Sequence, residues 1–213
     1  MKYSHIIFDW DGTLMDSAAK IVSCMQHAAQ RASLPIPSAE NVHEIIGISL
    51  IPAIQQLFNL QGEQAKEVAQ HYKEVFITTD QTPCPLFPKV QQTLHQLQKH
   101  CVLGVATGKA RRGLERAFDA TNSRQYFDTS ICADEAESKP SPQMLEKLIA
   151  HWNVPASQVL MVGDTVYDMQ MAEAIDMPRL GVSFGVHHEE RLKQHNPVGI
   201  LHHYDDLWSF ITH

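Results

Sequence analysis

Three short apolar runs, each ending abruptly in polar residues, stand out along the chain: Ile6-Ile7-Phe8 into Asp9, Val102-Leu103-Gly104-Val105-Ala106 into Thr107, and Val159-Leu160-Met161-Val162 into Gly163-Asp164. Unbroken runs of this length read as strands buried on both faces, as in a parallel sheet. Helical spacings lie between them. Val90, Leu94 and Leu97 precede the second run, Leu114, Ala117 and Phe118 follow it, and Met144, Leu145, Leu148 and Ile149 precede the third. Alternating strand and helix predicts an α/β fold, a parallel sheet with crossover helices. Ser130-Ile131-Cys132, Leu180-Gly181-Val182-Ser183 and Gly199-Ile200-Leu201 are candidates for further strands, with a closing helix around Leu207 to Ile211. Ser141-Pro142 predicts a helix start, serine as the cap and proline at the first helical position, running to about Trp152.

From Ser17 to Thr82 the pattern is helical throughout. Ile21, Val22, Met25, Ala28 and Ala29 share one face, followed by Val42, Ile45 and Ile46, then Ile54, Leu57 and Phe58, then Val68, Tyr72, Val75 and Phe76. Four or so helices fit there. A single crossover helix suffices to reach the next parallel strand, so the stretch predicts an inserted all-helical cap domain over 16–82, with the α/β core formed by 1–15 and 83–213. The return linker, Thr82-Pro83-Cys84-Pro85-Leu86-Phe87-Pro88, reads as stiff and non-helical.

Ligands of open parallel sheets bind beyond the carboxyl ends of the strands, where Asp9, Asp11, Thr107 and Asp164 all fall. Asp9 and Asp11, two apart in extended backbone, send their side chains to one face. Gly12 lets the chain turn and the Thr13 hydroxyl can fix that turn. Trp10 between them reads as packing, and Asp16-Ser17 as the cap of the first inserted helix or a hinge. Asp164 and Asp168 add two more acids from another strand end. Such carboxylates repel by about 4 kcal/mol per pair at 4 Å and an effective dielectric of 20. A cation must sit among them, and hard oxygen ligands select Mg²⁺ over zinc.

Composition narrows the picture. A chain of 213 residues accommodates one α/β domain with a smaller insertion, and 44% hydrophobic with 19% charged residues excludes a largely disordered chain. The formal net charge of -7 leaves no footprint for nucleic acid or an anionic membrane. The apolar run in Met1 to Phe8 is too short for a signal peptide and no later run approaches the roughly 20 residues of a membrane span, so a cytoplasmic location is expected. Cys24, Cys84, Cys101 and Cys132 form no CxxC pair and read as reduced structural thiols. The adjacent pairs His187-His188 and His202-His203 lack the i, i+4 spacing of a zinc site and read as surface residues.

Phe8-Asp9-Trp10-Asp11-Gly12-Thr13-Leu14 resembles the DxDGT motif of the haloacid dehalogenase-like superfamily of phosphatases. Thr107-Gly108 resembles its second motif, Lys139-Pro140 its third, and Gly163-Asp164 with Asp168 its fourth, in order over almost the whole chain. The helical insertion is similar to the cap of the phosphoglycolate phosphatase-like branch. The resemblance implies a Rossmann-like core in which Asp9 attacks phosphorus to form an aspartyl-phosphate and Asp11 serves as general acid, then base. It implies that Thr107 and Gly108 bind the phosphoryl group and that Lys139 balances charge on nucleophile and phosphate. Mg²⁺ would be held by the Asp9 side chain, the Asp11 backbone carbonyl and the Asp164 side chain, with Asp168 at a metal-bound water or orienting Lys139. Lys109 receives no role. Gly47-Ile48-Ser49 resembles the cap loop that enters the active site, but His43 stands where related sequences often carry an arginine, which removes a bidentate grip on a substrate carboxylate. The expected function is hydrolysis of a small phosphate monoester, with a small phosphorylated metabolite as partner. The alternatives are a β-phosphoglucomutase-type phosphomutase and a non-catalytic phosphate-binding protein.

Overall fold

The computed structural model describes residues 1–212. Six parallel strands form one sheet in the order β3-β2-β1-β4-β5-β6. They are β1 His5–Phe8, β2 Val102–Ala106, β3 Thr129–Ile131, β4 Val159–Gly163, β5 Arg179–Val182 and β6 Ile200–Leu201. All six apolar runs are strands. β2 has the expected limits, and each of the others begins or ends one residue away, within the usual scatter of strand ends.

Period-two alternation divides the strands between two cores. Ile6, Phe8, Leu103, Val105, Leu160 and Val162 pack on one face with helices α5 (Val90–Leu97), α6 (Arg111–Thr121) and α10 (Leu207–Ile211). Ile7, Val159 and Met161 face the other way, against α7 (Gln143–Trp152) and α8 (Val166–Glu173). The short α9, Glu189–Lys193, sets Leu192 against Gly181 of β5. Helix α7 starts one residue later than the Ser141-Pro142 signal suggests: Pro142 itself occupies the cap position, its carbonyl accepting from Glu146 N at 3.0 Å. The Ser141 hydroxyl donates to Glu137 instead.

Between β1 and α5 lie α1 (Ala18–Arg31), α2 (Ala39–His43), α3 (Leu50–Phe58) and α4 (Gly62–Glu74), the last running into a π turn over Val75–Thr79. Ile21, Met25, Ala28, Val42, Ile45, Ile46, Ile54 and Val68 form a cluster separate from both sheet cores. The two chain crossings are tied together, Asp16 N donating to Pro85 O at 2.8 Å and Phe87 N to Leu14 O at 3.0 Å. The insertion also meets the core elsewhere. Arg191 grips Glu44 through both guanidinium nitrogens at 2.6 and 3.0 Å, the Tyr167 hydroxyl donates to Glu44 O, and Ser49 N donates to Ser138 Oγ at 2.9 Å.

One histidine departs from expectation. His187 is buried, its Nδ1 accepting from Val166 N at 3.0 Å, and burial pushes its pKa down to about 4, so the ring is neutral. His188, His202 and His203 are exposed. No described helix is long and apolar enough to cross a membrane. The four cysteines are free, and burial raises the thiol pKa of Cys24 and Cys132 to about 12.

Trp10 lies wholly in the first sheet core, its ring edge-on to Phe118 at 5.2 Å and its Nε1–H directed at Met15 Sδ at 3.3 Å. It packs, as its position between two acids suggested. Trp10→Ala is expected to cost about 3–5 kcal/mol, read as a lower urea midpoint at unchanged slope, with Trp10→Phe losing less.

Candidate active site

Strand order reverses at β1, whose neighbours are β2 and β4, and the crevice beyond their carboxyl ends is where such sheets bind ligands. Asp9 follows β1 directly, and its N–H still donates to Val162 O of β4 at 2.9 Å. Its carboxylate is therefore fixed by the ladder. Gly12 reverses the chain at φ +80, and a Cβ there would lie 2.2 Å from Asp164 Oδ2, so no larger residue fits. Thr13 does not serve its own turn. Its hydroxyl donates to Asp164 Oδ1 at 2.9 Å, and its carbonyl accepts from the buried Tyr204 hydroxyl at 2.7 Å. Asp164 Oδ2 accepts from Val186 N at 2.9 Å, so both its oxygens are oriented.

Lys139, in the loop between β3 and α7, extends a fully buried ammonium to 2.6 Å from Asp9 Oδ1 and 2.6 Å from Asp168 Oδ1. The other Asp168 oxygen accepts from Thr165 N and from the Thr165 hydroxyl, closing a capping box on α8. Asp168 thus hydrogen-bonds both Lys139 and Thr165. Its carboxylate also lies with those of Asp9 and Asp164 in a set whose oxygens are within 4.8 Å of one another.

Electrostatics follow from this crowding. Burial raises the Asp9 pKa well above its ordinary value, with Asp168 and Asp164 adding to the rise against Lys139. Burial and then the Asp168 charge push Asp164 up to about 7. Burial alone would lower the Lys139 pKa, but Asp168 and Asp9 outweigh it and hold the ammonium charged. Three carboxylates thus face one ammonium, and Asp9 Oδ2 is buried without a hydrogen-bond partner. A hard divalent cation fits both the surplus charge and the orphan oxygen.

Asp11 belongs to a second pair. Its Oδ1 accepts from the Ser17 hydroxyl at 2.6 Å and lies 2.9 Å from Lys109 Nζ. Ser17 is thus no side-chain cap for α1, since its hydroxyl is spent on the acid. Lys109 also sits over the Phe76 ring at 5.2 Å, touching core and insertion at once. Sequence reasoning passed over Lys109, although its place two residues beyond Thr107 at the same rim was a usable signal. Thr107 is buried, its hydroxyl accepting from Lys109 N at 3.1 Å, which leaves its own proton to donate. Gly108 lies beneath the inserted loop, where a Cβ would meet Gly47 O at 2.6 Å and Ile48 O at 2.8 Å. Asp9, Asp11, Gly108 and Lys109 line a cavity of about 790 Å³ shared with the inserted helices.

The haloacid dehalogenase-like hydrolase family matches residues 6–182. The probable phosphatase IndB of Dickeya dadantii is 31% identical over 208 residues, covering 95% of this chain and 90% of that one. A phosphoglycolate phosphatase of Photorhabdus laumondii is 28% identical, covering 97% and 91%. Among solved structures, a hydrolase from Pseudomonas syringae superposes with a TM-score of 0.88 at 21% identity, covering 98% of each chain, which speaks for the fold alone.

Removing the ammonium tests the charge balance. Lys139→Met is expected to cost about 3–5 kcal/mol of stability at pH 8 in metal-free buffer, because two buried carboxylates lose their partner. Without the lysine the folded-state pKa of Asp9, already raised by burial, rises further above the unfolded value. The favourable contribution of such a group is full below its unfolded pKa and is lost as pH rises through the folded one, so the deficit should shrink toward pH 5 in urea titrations.

Proposed function

The chain belongs to the haloacid dehalogenase-like hydrolase family, and on that premise we propose that it hydrolyses a small phosphate monoester, phosphoglycolate phosphatase-like in architecture, through an aspartyl-phosphate on Asp9. One observation carries this conclusion: the Asp9 carboxylate is buried with Oδ1 on Lys139 and Oδ2 without any partner, beside Asp11 on the same cavity. A buried carboxylate oxygen left unpaired is costly unless it has work to do.

In the first half-reaction a carboxylate oxygen of Asp9 bonds to phosphorus while the ester P–O bond breaks, and Asp11 gives its proton to the departing oxygen. In the second, Asp11 takes a proton from water, whose oxygen displaces the Asp9 carboxylate and releases inorganic phosphate. Only one Asp11 oxygen is engaged by Lys109 and Ser17, so the other is available for the proton. Lys139 holds Asp9 in line and offsets charge as it builds on the phosphoryl oxygens. Thr107, through its hydroxyl, and Gly108 would grip those oxygens.

Asp9, Asp164 and the Asp11 backbone carbonyl would hold Mg²⁺, with Asp168 acting through Lys139. When bound, the ion offsets repulsion between the Asp9 carboxylate and a phosphate dianion. Residues 16–82 act as the cap that keeps bulk water from the acyl phosphate. The substrate is a phosphorylated metabolite of the cytoplasm.

With Mg²⁺ the protein is expected to release inorganic phosphate from p-nitrophenyl phosphate. Asp9→Asn should lower turnover by about 10³-fold or more while the circular dichroism spectrum is retained; undiminished turnover by that variant would sink the mechanism. A second expectation concerns pH. Raised carboxylate pKa values, about 7 for Asp164, mean that protons compete with the cation as pH falls. The rise in Tm produced by Mg²⁺ should therefore be larger at pH 8 than at pH 5.5.

A further inference from the structure

Above the acids, the cavity is walled by the inserted helices. Ile21 and Met25 of α1, Ile46 of the loop after α2, Ile51 of α3, and Tyr72 and Phe76 from α4 and its π turn all line it. The rings of Tyr72 and Phe76 are 5.8 Å apart and tilted, so two aromatic faces border the space. Lys73 is the one charged side chain that the insertion adds to the lining, and it is exposed at the edge. The core adds Lys109, which Asp11 engages, together with Asp134 and the exposed Arg112 and Arg116 of α6. His43 lies outside the lining.

Resting on the phosphatase reading of this site, we propose that the ester it hydrolyses carries an apolar leaving group, an aryl ring or a chain of about six carbons or more, rather than a two-carbon acid. The cavity of about 790 Å³ is continuous with Asp9 and Asp11, so whatever is esterified to a phosphate at Asp9 extends along these walls. A second carboxylate held against the isoleucine and aromatic carbon would be desolvated, while the cations Lys73, Arg112 and Arg116 of the lining are exposed to water. An alkyl or aryl body would instead cover apolar surface that is otherwise wet, and the gain in binding is available to the transition state as well as to the ground state.

A series of unactivated monoesters tests this: ethyl, butyl, hexyl and 2-phenylethyl phosphate, with phosphoglycolate and p-nitrophenyl phosphate alongside, each assayed for phosphate release with Mg²⁺. Full burial gives about fourfold per methylene, equivalent to about 0.8 kcal/mol. Hexyl and 2-phenylethyl phosphate are expected to exceed ethyl phosphate in kcat/KM by tenfold or more, with phosphoglycolate no better than ethyl phosphate. Ile51→Asp should flatten the series. A flat series in the unmodified protein, or phosphoglycolate above hexyl phosphate, overturns the inference while turnover of p-nitrophenyl phosphate keeps the phosphatase reading intact. Failure to cleave any of these esters overturns that underlying reading, and the inference with it.

Discussion

Lys139 carries its ammonium to a place closed to water and divides it between Asp9 and Asp168, and three separate parts of the chain are pinned by that contact. One is the end of β1, the second the loop before α7, the third the first turn of α8. Removing a charge from water costs several kcal/mol and is tolerated only where partners meet it closely, so these segments cannot shift independently. The packing reflects this. At Gly163 an added Cβ would fall 2.4 Å from Asp168 Cβ, and at Gly185 one would fall 2.1 Å from Asp164 Cβ, so backbone comes up against the acids with no side chain between. The cluster holds more negative than positive charge, and burial first, then that surplus, raises the pKa of Asp9 and Asp164. A fold that maintains such a surplus in its interior is suited to a divalent cation and an incoming electrophile, and poorly suited to idle burial.

The second ion pair ties this centre to the inserted helices. Asp11 meets Ser17, which immediately precedes α1, and Lys109, which follows β2 and lies over Phe76 of the π turn. The residue assigned to proton transfer therefore stands where insertion and core touch. Phe76 also lines the cavity, so movement of the π turn would alter the surroundings of Lys109 and of the substrate body together. The crossings at Leu14–Asp16 and Pro85–Phe87 are hydrogen-bonded as a pair, which holds the two linkers together at that rim.

The three central strands, β1, β2 and β4, were legible because they are buried on both faces almost throughout and run into polar residues, a signal that needs no partner to be recognised. The order of strands was not, since pattern along the chain carries no information on which run lies beside which. Asp9, Asp11, Thr107 and Asp164 were found from their places at strand ends. Lys139 gained its role only through resemblance, because a lysine before a proline is ordinary in isolation, while Asp168 entered as one more acid at a strand end and took its particular roles from the resemblance. Ser17 and Thr13 were read as local capping and turn residues. Both hydroxyls instead serve carboxylates, Asp11 in one case and Asp164, 151 positions away, in the other, and long-range partners of this kind leave no periodic trace. Tyr204 on Thr13 O and the buried ring of His187 are of the same type. Lys109 is the instructive miss, for the rim argument that selected Thr107 applied equally two residues later.

Chemistry and substrate choice are built from different material in this molecule. The acids and Lys139 are held by strand ends and by loops of the α/β core, whereas the walls above them come from helices with a hydrophobic cluster of their own. Ile51 or Met25 can change without disturbing any hydrogen bond of the Asp9–Lys139–Asp168 set, because none of those bonds runs through the insertion. Relatives can therefore keep one reaction while accepting different leaving groups, as is general where a site is grafted on a shared fold. Identity of 28% along nearly the whole chain to a protein named phosphoglycolate phosphatase speaks for the reaction at phosphorus. The body of the ester is decided by the apolar wall, which has to be read in this chain's own side chains.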